Sequence, residues 1–397
     1  MTTISEKLFG GKEGEYVIRE VDRVMLHDGN TPLIFDQMEI HEIWDPDRVT
    51  NVVDHFCPPS TVERAEFVKA HRRFVKEKGI LDHVEGKGIC HQIMCEGRVL
   101  PGELVAGIDS HSTMYGALGA FGIGFGASDI VEILKEGKTW FKVPEIIRVN
   151  ILKGQIGTDI ALAMLGKIGY DGNYKGVEFS DRAGINMDHR MTVANMAAET
   201  GAKFAFFPPD YITRTYLKEF HIYEQKDISL SEEERCVETV DISVDEPLVA
   251  VPHKPYNVKS VSEVCGKTID QVFIGSCASG RLSDLRDAAE VLKGKKVHPD
   301  VRLLVTPASD RVLKTALKEG LISALVGAGA MVLNPSCGPC SGIDKGLMAE
   351  GETCITTQNR NYPGRMGKGD VYIANSTVCA LSAIEGIIAN PGCDNAG

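Results

Sequence analysis

Three cysteines in the C-terminal third have the residue type and surroundings to do chemistry. Cys277 stands alone, whereas Cys337 and Cys340 form a Cys-x-x-Cys pair that is followed by a Gly/Pro/Asn-rich loop with Arg360 and Arg365. Three thiolates can hold an iron–sulfur cluster, and guanidinium groups can bind a substrate carboxylate beside it. The pair alone would also suit half a zinc site or a redox pair, but the sequence has no second pair of this spacing.

The number of cysteine ligands decides how such a cluster is used. A fourth cysteine closes a cluster for electron transfer, and Cys354 is the nearby candidate. With three cysteines, one iron stays free to act as a Lewis acid on a substrate.

Two acid–imidazole groupings are candidates for proton transfer. Asp54 directly precedes His55, and Asp109 lies two residues before His111. An extended backbone would point residues i and i+2 the same way. A carboxylate can fix the tautomer of an imidazole and raise its pKa for acid–base work. The alternative for each histidine is a hydrogen-bonded structural role.

Other polar residues are weaker candidates by themselves. His27 begins a turn-like segment, His91 follows a glycine-flanked cysteine, and Glu178 alternates with apolar neighbours on a predicted strand. A solvent-facing strand position would explain Glu178 equally well. The glycines of 122–126 lack the spacing of a dinucleotide fingerprint and indicate tight backbone packing instead.

Composition indicates a globular protein of two or three α/β domains. The chain has 397 residues, 43% of them hydrophobic and 25% charged, and a net charge of −12 that argues against a nucleic-acid surface. The first seven residues lack the apolar core of a signal peptide. The longest apolar stretch, residues 321–333, is shorter than the roughly 20 residues of a membrane helix. We therefore expect a cytoplasmic protein whose 11 cysteines are reduced thiols or metal ligands.

Apolar patterns predict the elements that position these residues. Strands are predicted at 103–108, 271–274, 302–305 and 330–333, and helices at 192–200, at 284–292 with Ser283 as its cap, and at 311–318. Strands that alternate with helices predict a parallel sheet. Cys277 and Cys337 would then follow the ends of two strands, where ligands collect in such sheets.

Composition also suggests a division into domains. We predict an α/β domain at 1–145 with the Asp/His motifs, a second at 146–235, a linker at 236–262 and a cysteine-bearing domain at 263–397. A charged run at 231–235 and the prolines at 247, 252 and 255 favour the linker.

Taken together, these motifs resemble the aconitase superfamily, and most closely the large subunits of isopropylmalate isomerase and homoaconitase. The resemblance covers nearly the whole chain and rests on residues 27–29, 54–55, 88–92, 109–111, 178, 191–196, 275–277, 337–340 and 359–367. It implies three α/β/α domains around a [4Fe–4S] cluster with one labile, substrate-binding iron. The cluster ligands by this resemblance are Cys277, Cys337 and Cys340.

The resemblance also implies roles for the other candidates. His55, oriented by Asp54, resembles the acid that protonates the leaving hydroxyl. The residues resembling the network around the iron-bound water and hydroxyl are His91, Asp109, His111 and Glu178. Arg360 and Arg365 resemble the substrate-carboxylate and active-site arginines, and Arg365 is counted with the catalytic residues. The residues resembling substrate-binding groups are His27, Ser110, Arg360 and Asn359, the last of which lies beside the cluster by this resemblance.

Two departures from the family pattern bear on the substrate. Ala278-Ser279 stands where the family usually has Thr-Asn, and Ser341-Gly342-Ile343 stands where the isopropylmalate enzymes usually have Leu-Gly-Gly. The resemblance therefore implies a hydro-lyase acting on 3-isopropylmalate or a close relative, with dimethylmalate, citramalate and homoaconitate hydratase subunits as alternatives.

One family domain has no counterpart in this sequence. The swivelling fourth domain carries the serine base, so we expect a separate small subunit that supplies it. A different class of function, an iron-sensing protein that binds RNA without its cluster, is disfavoured by the acidic balance.

Overall fold

A computed structural model describes residues 3–39, 41–223, 236–343 and 345–392. The charged run 231–235 of the predicted linker lies outside these ranges. The strands in chain order are β1 (Tyr16–Glu20), β2 (Arg23–His27), β3 (Val49–Val53), β4 (Asp82–Glu85), β5 (Leu104–Gly107), β6 (Phe121–Gly124), β7 (Lys138–Lys142), β8 (Ile146–Lys153), β9 (Gly176–Asp181), β10 (Phe204–Phe206), β11 (Glu238–Ser243), β12 (Leu248–Ala250), β13 (Val258–Ser260), β14 (Gln271–Ile274), β15 (Arg302–Val305), β16 (Met331–Val332), β17 (Thr353–Thr356) and β18 (Asp370–Ala374).

The helices alternate with these strands, as the sequence predicts for an α/β fold. In chain order they are α1 (Ile4–Phe9), α2 (Phe35–Met38), α3 (Val62–Glu77), α4 (Cys90–Cys95), α5 (Ala127–Glu136), α6 (Gly157–Ile168), α7 (Met187–Met196), α8 (Tyr211–Lys218), α9 (Leu282–Leu292), α10 (Asp310–Lys318), α11 (Leu321–Ala328) and α12 (Ser376–Glu385). Short 3₁₀ helices lie at Thr31–Ile34, Pro46–Arg48, Ser110–Leu118, Ala197–Thr200, Val261–Glu263 and Gly338–Ser341. None of the helices in the described ranges is long and apolar enough to cross a membrane.

The chain forms two compact units, each built from several chain segments. The first unit comprises Met1–Glu85, Cys90–Leu152 and Tyr170–Ile242. The second unit comprises Gly86–Ile89, Lys153–Gly169 and Ser243–Gly397. The first two predicted domains thus fall mostly within one unit, and the boundaries of the three-domain division stay predictions.

The first unit is built on two larger sheets that share a core. Strands β4-β3-β2-β5-β6 form a parallel sheet, and β10-β9-β8-β11 form a second sheet. The β3 sequence Val-Thr-Asn-Val-Val is buried throughout, as expected for a strand covered on both faces. The ring of Phe121 on β6 packs at 4.8 Å from Phe206 and 5.6 Å from Phe204 on β10. These shared aromatic contacts explain why the two sheets form one unit.

The second unit contains one seven-stranded sheet. Its order is β13-β12-β18-β17-β14-β15-β16, parallel from β18 to β16 and antiparallel where β12 joins. The predicted strands 271–274 and 302–305 are confirmed as β14 and β15. The carboxyl ends of β14, β15, β16 and β17 therefore lie at the same edge.

Several predicted boundaries were wrong by a few residues. Helix α9 begins at Leu282 with Arg281 as its N-cap, so Ser283 is not the cap. Helix α10 begins at Asp310, because the Ser309 hydroxyl accepts the Val312 N–H and caps it. The predicted helix 192–200 is the end of α7 followed by a 3₁₀ turn, and Gly201 closes it at φ 82°.

The predicted linker contains regular structure. Strand β11 joins the second sheet of the first unit, and β12 and β13 form an antiparallel pair in the second unit. Val240 and Ile242 alternate with exposed residues along β11 and are buried. This short alternation, typical of a half-buried strand, was masked by the surrounding charges and prolines.

Candidate functional site

The first unit gathers acid–imidazole groups at the carboxyl ends of three neighbouring strands. Strand β2 lies between β3 and β5, and all three run parallel. His27 ends β2, Asp54 and His55 follow β3, and Asp109 follows β5. Ligands of parallel α/β sheets bind at this edge. His91 comes from α4, which begins shortly after the neighbouring strand β4.

His55 is held between two carboxylates. Its Nδ1 lies 2.8 Å from Asp54 Oδ1 and 3.5 Å from Asp28 Oδ1. The other oxygen of Asp54 accepts the Cys90 N–H at 2.7 Å, which fixes the carboxylate. Burial opposes the charge on His55, but the two carboxylates outweigh it and raise the pKa of His55 well above its ordinary value.

Asp28, which the sequence analysis did not single out, organises this corner. Its Oδ1 accepts the backbone N–H groups of Asp54 and His55 at 3.0 Å, and its Oδ2 accepts that of Phe56 at 2.7 Å. Burial raises the pKa of Asp28, but these bonds and His55 outweigh it and hold the pKa well below its usual range. The signal in the sequence was its place in the turn-like segment after β2.

His27 stacks on His55 and stays neutral. The two rings lie 4.5 Å apart at 17°, and the His27 Nδ1 accepts the Gly29 N–H at 3.1 Å. Burial, together with the positive charge of His55, lowers the pKa of His27 to about 4. A Cβ at Gly29 would lie 3.1 Å from both imidazoles, so a side chain there would press on the stacked pair.

Asp109 joins two histidines in a second network. Its Oδ1 lies 3.0 Å from His91 Nε2 and 3.0 Å from His111 Nδ1, and it accepts the His111 N–H at 2.7 Å. Burial raises the pKa of Asp109, but the hydrogen bonds from His111 and His91 outweigh it and hold that pKa well below its usual range. His91 also contacts the Tyr115 hydroxyl at 3.1 Å through Nδ1.

The sequence analysis expected Asp109 and His111 to meet because both would lie on an extended backbone, and this reason was wrong. Of these two residues, only Asp109 has an extended backbone. It is the N-cap of the 3₁₀ helix that contains His111. The carboxylate therefore reaches His111 as a helix cap, not as a neighbour on one face of a strand. Ser110, the first residue of that helix, is exposed.

A glutamate missed by sequence reasoning completes the second network. Glu199 is buried, and its Oε1 lies 2.8 Å from His111 Nε2. Glu178 is also buried, but it pairs with Arg148 at 2.9 Å across β8 and β9. Glu199 is the charged residue in the otherwise uncharged segment 191–201, which was the available signal.

The second unit gathers thiols around one asparagine. Cys277 follows β14, and Asn359 follows the adjacent parallel strand β17. The Asn359 Nδ2 donates to Cys277 Sγ at 3.3 Å, and its Oδ1 accepts from Cys340 Sγ at 3.7 Å. Arg365 donates to Cys340 Sγ at 3.8 Å. Cys337 and Cys340 flank the turn that begins the 3₁₀ helix Gly338–Ser341.

The donor set of these thiols fits a polynuclear cluster better than one metal ion. Cys277, Cys337 and Cys340 are buried, and none of the three is in a disulfide. A tetrahedral zinc with bonds of about 2.3 Å would hold sulfurs about 3.8 Å apart. Within the described part of the chain, these three sulfurs form no group with all members inside 4.8 Å of one another. The amide of Asn359 lies between the sulfurs of Cys277 and Cys340, which suits a cluster of several irons better than a single metal ion.

Cys354 does not share this position. It lies near the amino end of β17, whereas Asn359 follows the carboxyl end, and it packs in an apolar cluster with Phe273 and Met348 that also includes Cys337 and Cys340. Burial raises the pKa of Cys354, which keeps the thiol protonated. These contacts favour a core thiol over a fourth ligand.

Comparison with known proteins agrees with this geometry. The model of the aconitase family (aconitate hydratase) matches residues 3–265 and 249–386. The methanogen homoaconitase large subunit of Methanocaldococcus jannaschii is 44% identical over 98% of this chain and 99% of its own length. A 3-isopropylmalate dehydratase large subunit of Sulfurihydrogenibium is 43% identical, over 98% and 96%. Another, from Archaeoglobus fulgidus, is 45% identical, over 98% of each.

A solved structure shows the same fold at low sequence identity. Thermococcus kodakaraensis aconitase X has a TM-score of 0.52 and 14% identity, covering 86% of this chain and 84% of its own. The resemblance inferred from the sequence motifs is thus confirmed by the family model and by relatives that match almost end to end. The chain belongs to the aconitase family of hydro-lyases.

Proposed function

We propose that this chain is the large subunit of a [4Fe–4S] hydro-lyase that dehydrates 3-isopropylmalate or a closely related branched malate. The observation that carries the proposal is the set of three buried thiols, two of them hydrogen-bonded to Asn359, in a chain of this family. Near-full-length similarity to large subunits named for 3-isopropylmalate dehydratase and for homoaconitase supports the substrate class.

Cys277, Cys337 and Cys340 are the proposed ligands of the cluster. When bound, a three-cysteine cluster supplies a Lewis-acidic iron that polarises the groups of a hydroxy acid. Asn359 would orient two of the ligand sulfurs through its amide. Arg360 and Arg365 follow in the same loop and are proposed to bind substrate carboxylates, for which the guanidinium fork is suited.

His55 is the proposed general acid. Its raised pKa keeps the imidazole protonated near neutral pH, which is the state needed to give a proton to a leaving hydroxyl. Asp54 and Asp28 hold the ring by Nδ1, so Nε2 is the nitrogen left to carry the transferred proton. His27 and Ser110 are proposed to contact the substrate.

The second network is proposed to order the proton donors and acceptors around the reacting hydroxyl. Asp109 orients His91 and His111 through one oxygen. Glu199 holds the far nitrogen of His111, so carboxyl oxygens lie at both ring nitrogens and fix the orientation of that ring. We assign to Glu199 the role beside His111 that the resemblance had suggested for Glu178, because Glu178 is paired with Arg148.

A separate small subunit is the proposed partner. The relatives are named large subunits, which implies a second chain. Removing a proton beside a carboxylate needs a base, and the resemblance assigns that serine to the swivelling domain. The small subunit would also contribute to the choice among isopropylmalate, dimethylmalate, citramalate and homocitrate-type acids.

Anaerobic reconstitution with a co-expressed small subunit tests the proposal. Iron and sulfide should bind in equal amounts, and one or more alkyl-malates of a panel should be converted to an unsaturated acid, detected by its ultraviolet absorbance. A preparation that holds zinc, or that holds no sulfide and converts none of the panel, would contradict the proposal.

A further inference from the structure

Arg281 is a buried cation directly behind one of the proposed cluster ligands. It is 1% exposed and ranks among the largest fully buried side chains. One guanidinium nitrogen donates to the Cys277 carbonyl at 2.7 Å, and another donates to the Ala278 carbonyl at 2.9 Å. The planar fork therefore binds two successive peptide groups, the first of them that of Cys277.

The loop around Arg281 has a shape that needs such support. Ser276 adopts φ 76°, a conformation that non-glycine residues rarely take. Its hydroxyl accepts the Ala278 N–H at 3.2 Å, and its carbonyl accepts the Ser279 N–H at 3.3 Å. Gly280 also has a positive φ, and its carbonyl accepts the Ala308 N–H at 2.8 Å. The loop curls so that the carbonyls of residues 277 and 278 turn toward the guanidinium.

The charge of Arg281 suits an anionic group at Cys277. The guanidinium places its positive charge at the Cys277 peptide, and Asp284, a buried carboxylate in the first turn of α9, accepts the Arg281 backbone N–H at 3.1 Å. A cation bound to this peptide also stabilises negative charge on the neighbouring ligand sulfur. Arg281 is also the N-cap of the 11-residue helix α9, whose first turn adds positive partial charge. Thiolate ligation to an iron–sulfur cluster would bring negative charge to this loop.

We infer that Arg281 is a positioning residue for the cluster ligand Cys277 and tunes the charge of the bound cluster. The inference rests on the proposed cluster-binding function of the three cysteines. The fork fixes the peptide of Cys277 and so the direction of its sulfur. The charge stabilises the more negative, reduced form of the cluster and raises its reduction potential, because cluster potentials depend on nearby charge.

Two substitutions separate these effects. Arg281→Lys keeps a positive charge but loses the fork, whereas Arg281→Met loses both. We expect at least tenfold faster iron release to a chelator in both variants under anaerobic conditions. The midpoint potential, followed by electron paramagnetic resonance, should fall in Arg281→Met and stay near the wild-type value in Arg281→Lys. A purely structural role would not separate the two potentials.

Arg286→Met is the matched control. Arg286 lies on the same helix but is half-exposed and pairs with Glu319 at 2.6 Å. The Arg286→Met substitution should change neither the rate of iron release to the chelator nor the midpoint potential of the cluster.

The outcomes distinguish this inference from the function on which it rests. Wild-type protein that binds no iron and sulfide refutes the cluster-binding proposal itself. A wild-type cluster with unchanged release and potential in Arg281→Met overturns the role of Arg281 alone. If Arg281→Met fails to fold, hydrogen exchange of the backbone amides is compared between apo Arg281→Lys and apo wild type instead. The amides of Ala278 and Ser279 should exchange at least tenfold faster than in apo wild type, and unchanged exchange would overturn the inference.

Discussion

Replacing Asp28 by asparagine should loosen the corner that holds His55. An asparagine carbonyl can still accept the N–H groups of Asp54 and His55. Its amide nitrogen would face the Phe56 N–H, which now donates to Asp28 Oδ2 at 2.7 Å, so two donors would meet. The substitution also removes one of the two carboxylates that raise the pKa of His55.

The expected magnitude has two parts. Loss of one charge-assisted hydrogen bond costs about 1.5–3 kcal/mol in unfolding free energy. The second part comes from His55, where each unit by which its pKa falls is worth about 1.4 kcal/mol. Because the folded-state pKa of His55 is raised, its contribution is complete below the unfolded pKa of roughly 6.5 and is lost as pH rises through the folded pKa. Asp28→Asn should therefore destabilise more at pH 6 than at pH 9.

Tryptophan fluorescence gives an assay for this unit. Both tryptophans of the chain, Trp44 and Trp140, lie in the first unit. A loss of about 2 kcal/mol corresponds to a fall in Tm of roughly 4–8 °C for a domain of 150–250 residues. Asp45→Asn is the control, since Asp45 is a partly exposed cap of a 3₁₀ helix and asparagine caps equally well.

Two results would refute the reasoning. The first is a Tm difference between Asp28→Asn and wild type that is the same at pH 6 and pH 9. The second is an unchanged His55 titration in the variant, measured by NMR with labelled histidine.

Further predictions concern the proposed chemistry. Glu199→Gln should lower kcat/KM about 10- to 150-fold, through loss of the charge-assisted bond to His111, and wild-type kinetics would remove Glu199 from the network. Arg365→Lys should cost a similar factor, because lysine keeps the charge but lacks the fork, and an unchanged KM and kcat would place Arg365 outside the site. Cys340→Ala should abolish cluster absorbance whereas Cys236→Ala keeps it, and the reverse pattern would show that the ligands are chosen wrongly. The isolated chain should bind iron and sulfide yet turn over no substrate until a small subunit is added, and substantial turnover alone would contradict the two-subunit proposal.

The sequence predicted local elements well where one pattern dominated. Strands β14 and β15 were placed to the residue, because each apolar run has the length of a strand and is followed by a turn-forming Gly or Thr-Pro segment. The start of α9 was missed because Ser283 looks like a cap, whereas the real cap is Arg281 in a loop shaped by hydrogen bonds from distant residues. The position of a helix cap depends on such long-range hydrogen bonds, so it could not be predicted from the neighbouring residues alone.

The partners of the polar residues were harder to predict than their positions. The contact of Asp54 with His55 follows from adjacency in sequence. The contact of Glu199 with His111 joins residues 88 positions apart and depends on how two sheets share a core. Glu178 looked equally suitable because a glutamate among apolar residues has the same sequence signature whether it faces a histidine or an arginine.

The interleaved course of the chain has a consequence for synthesis. The first unit needs segments that end at Ile242, and residues 153–169 between them belong to the other unit. At about 5–20 residues per second, a ribosome takes roughly 12–50 s to reach that point. Strands β2, β3 and β5 are made well before β10, so until residue 206 is made the nascent first sheet lacks its aromatic partners and part of its apolar surface stays exposed. No continuous stretch of the gene encodes one unit without part of the other, and a cut at any single position leaves at least one unit incomplete.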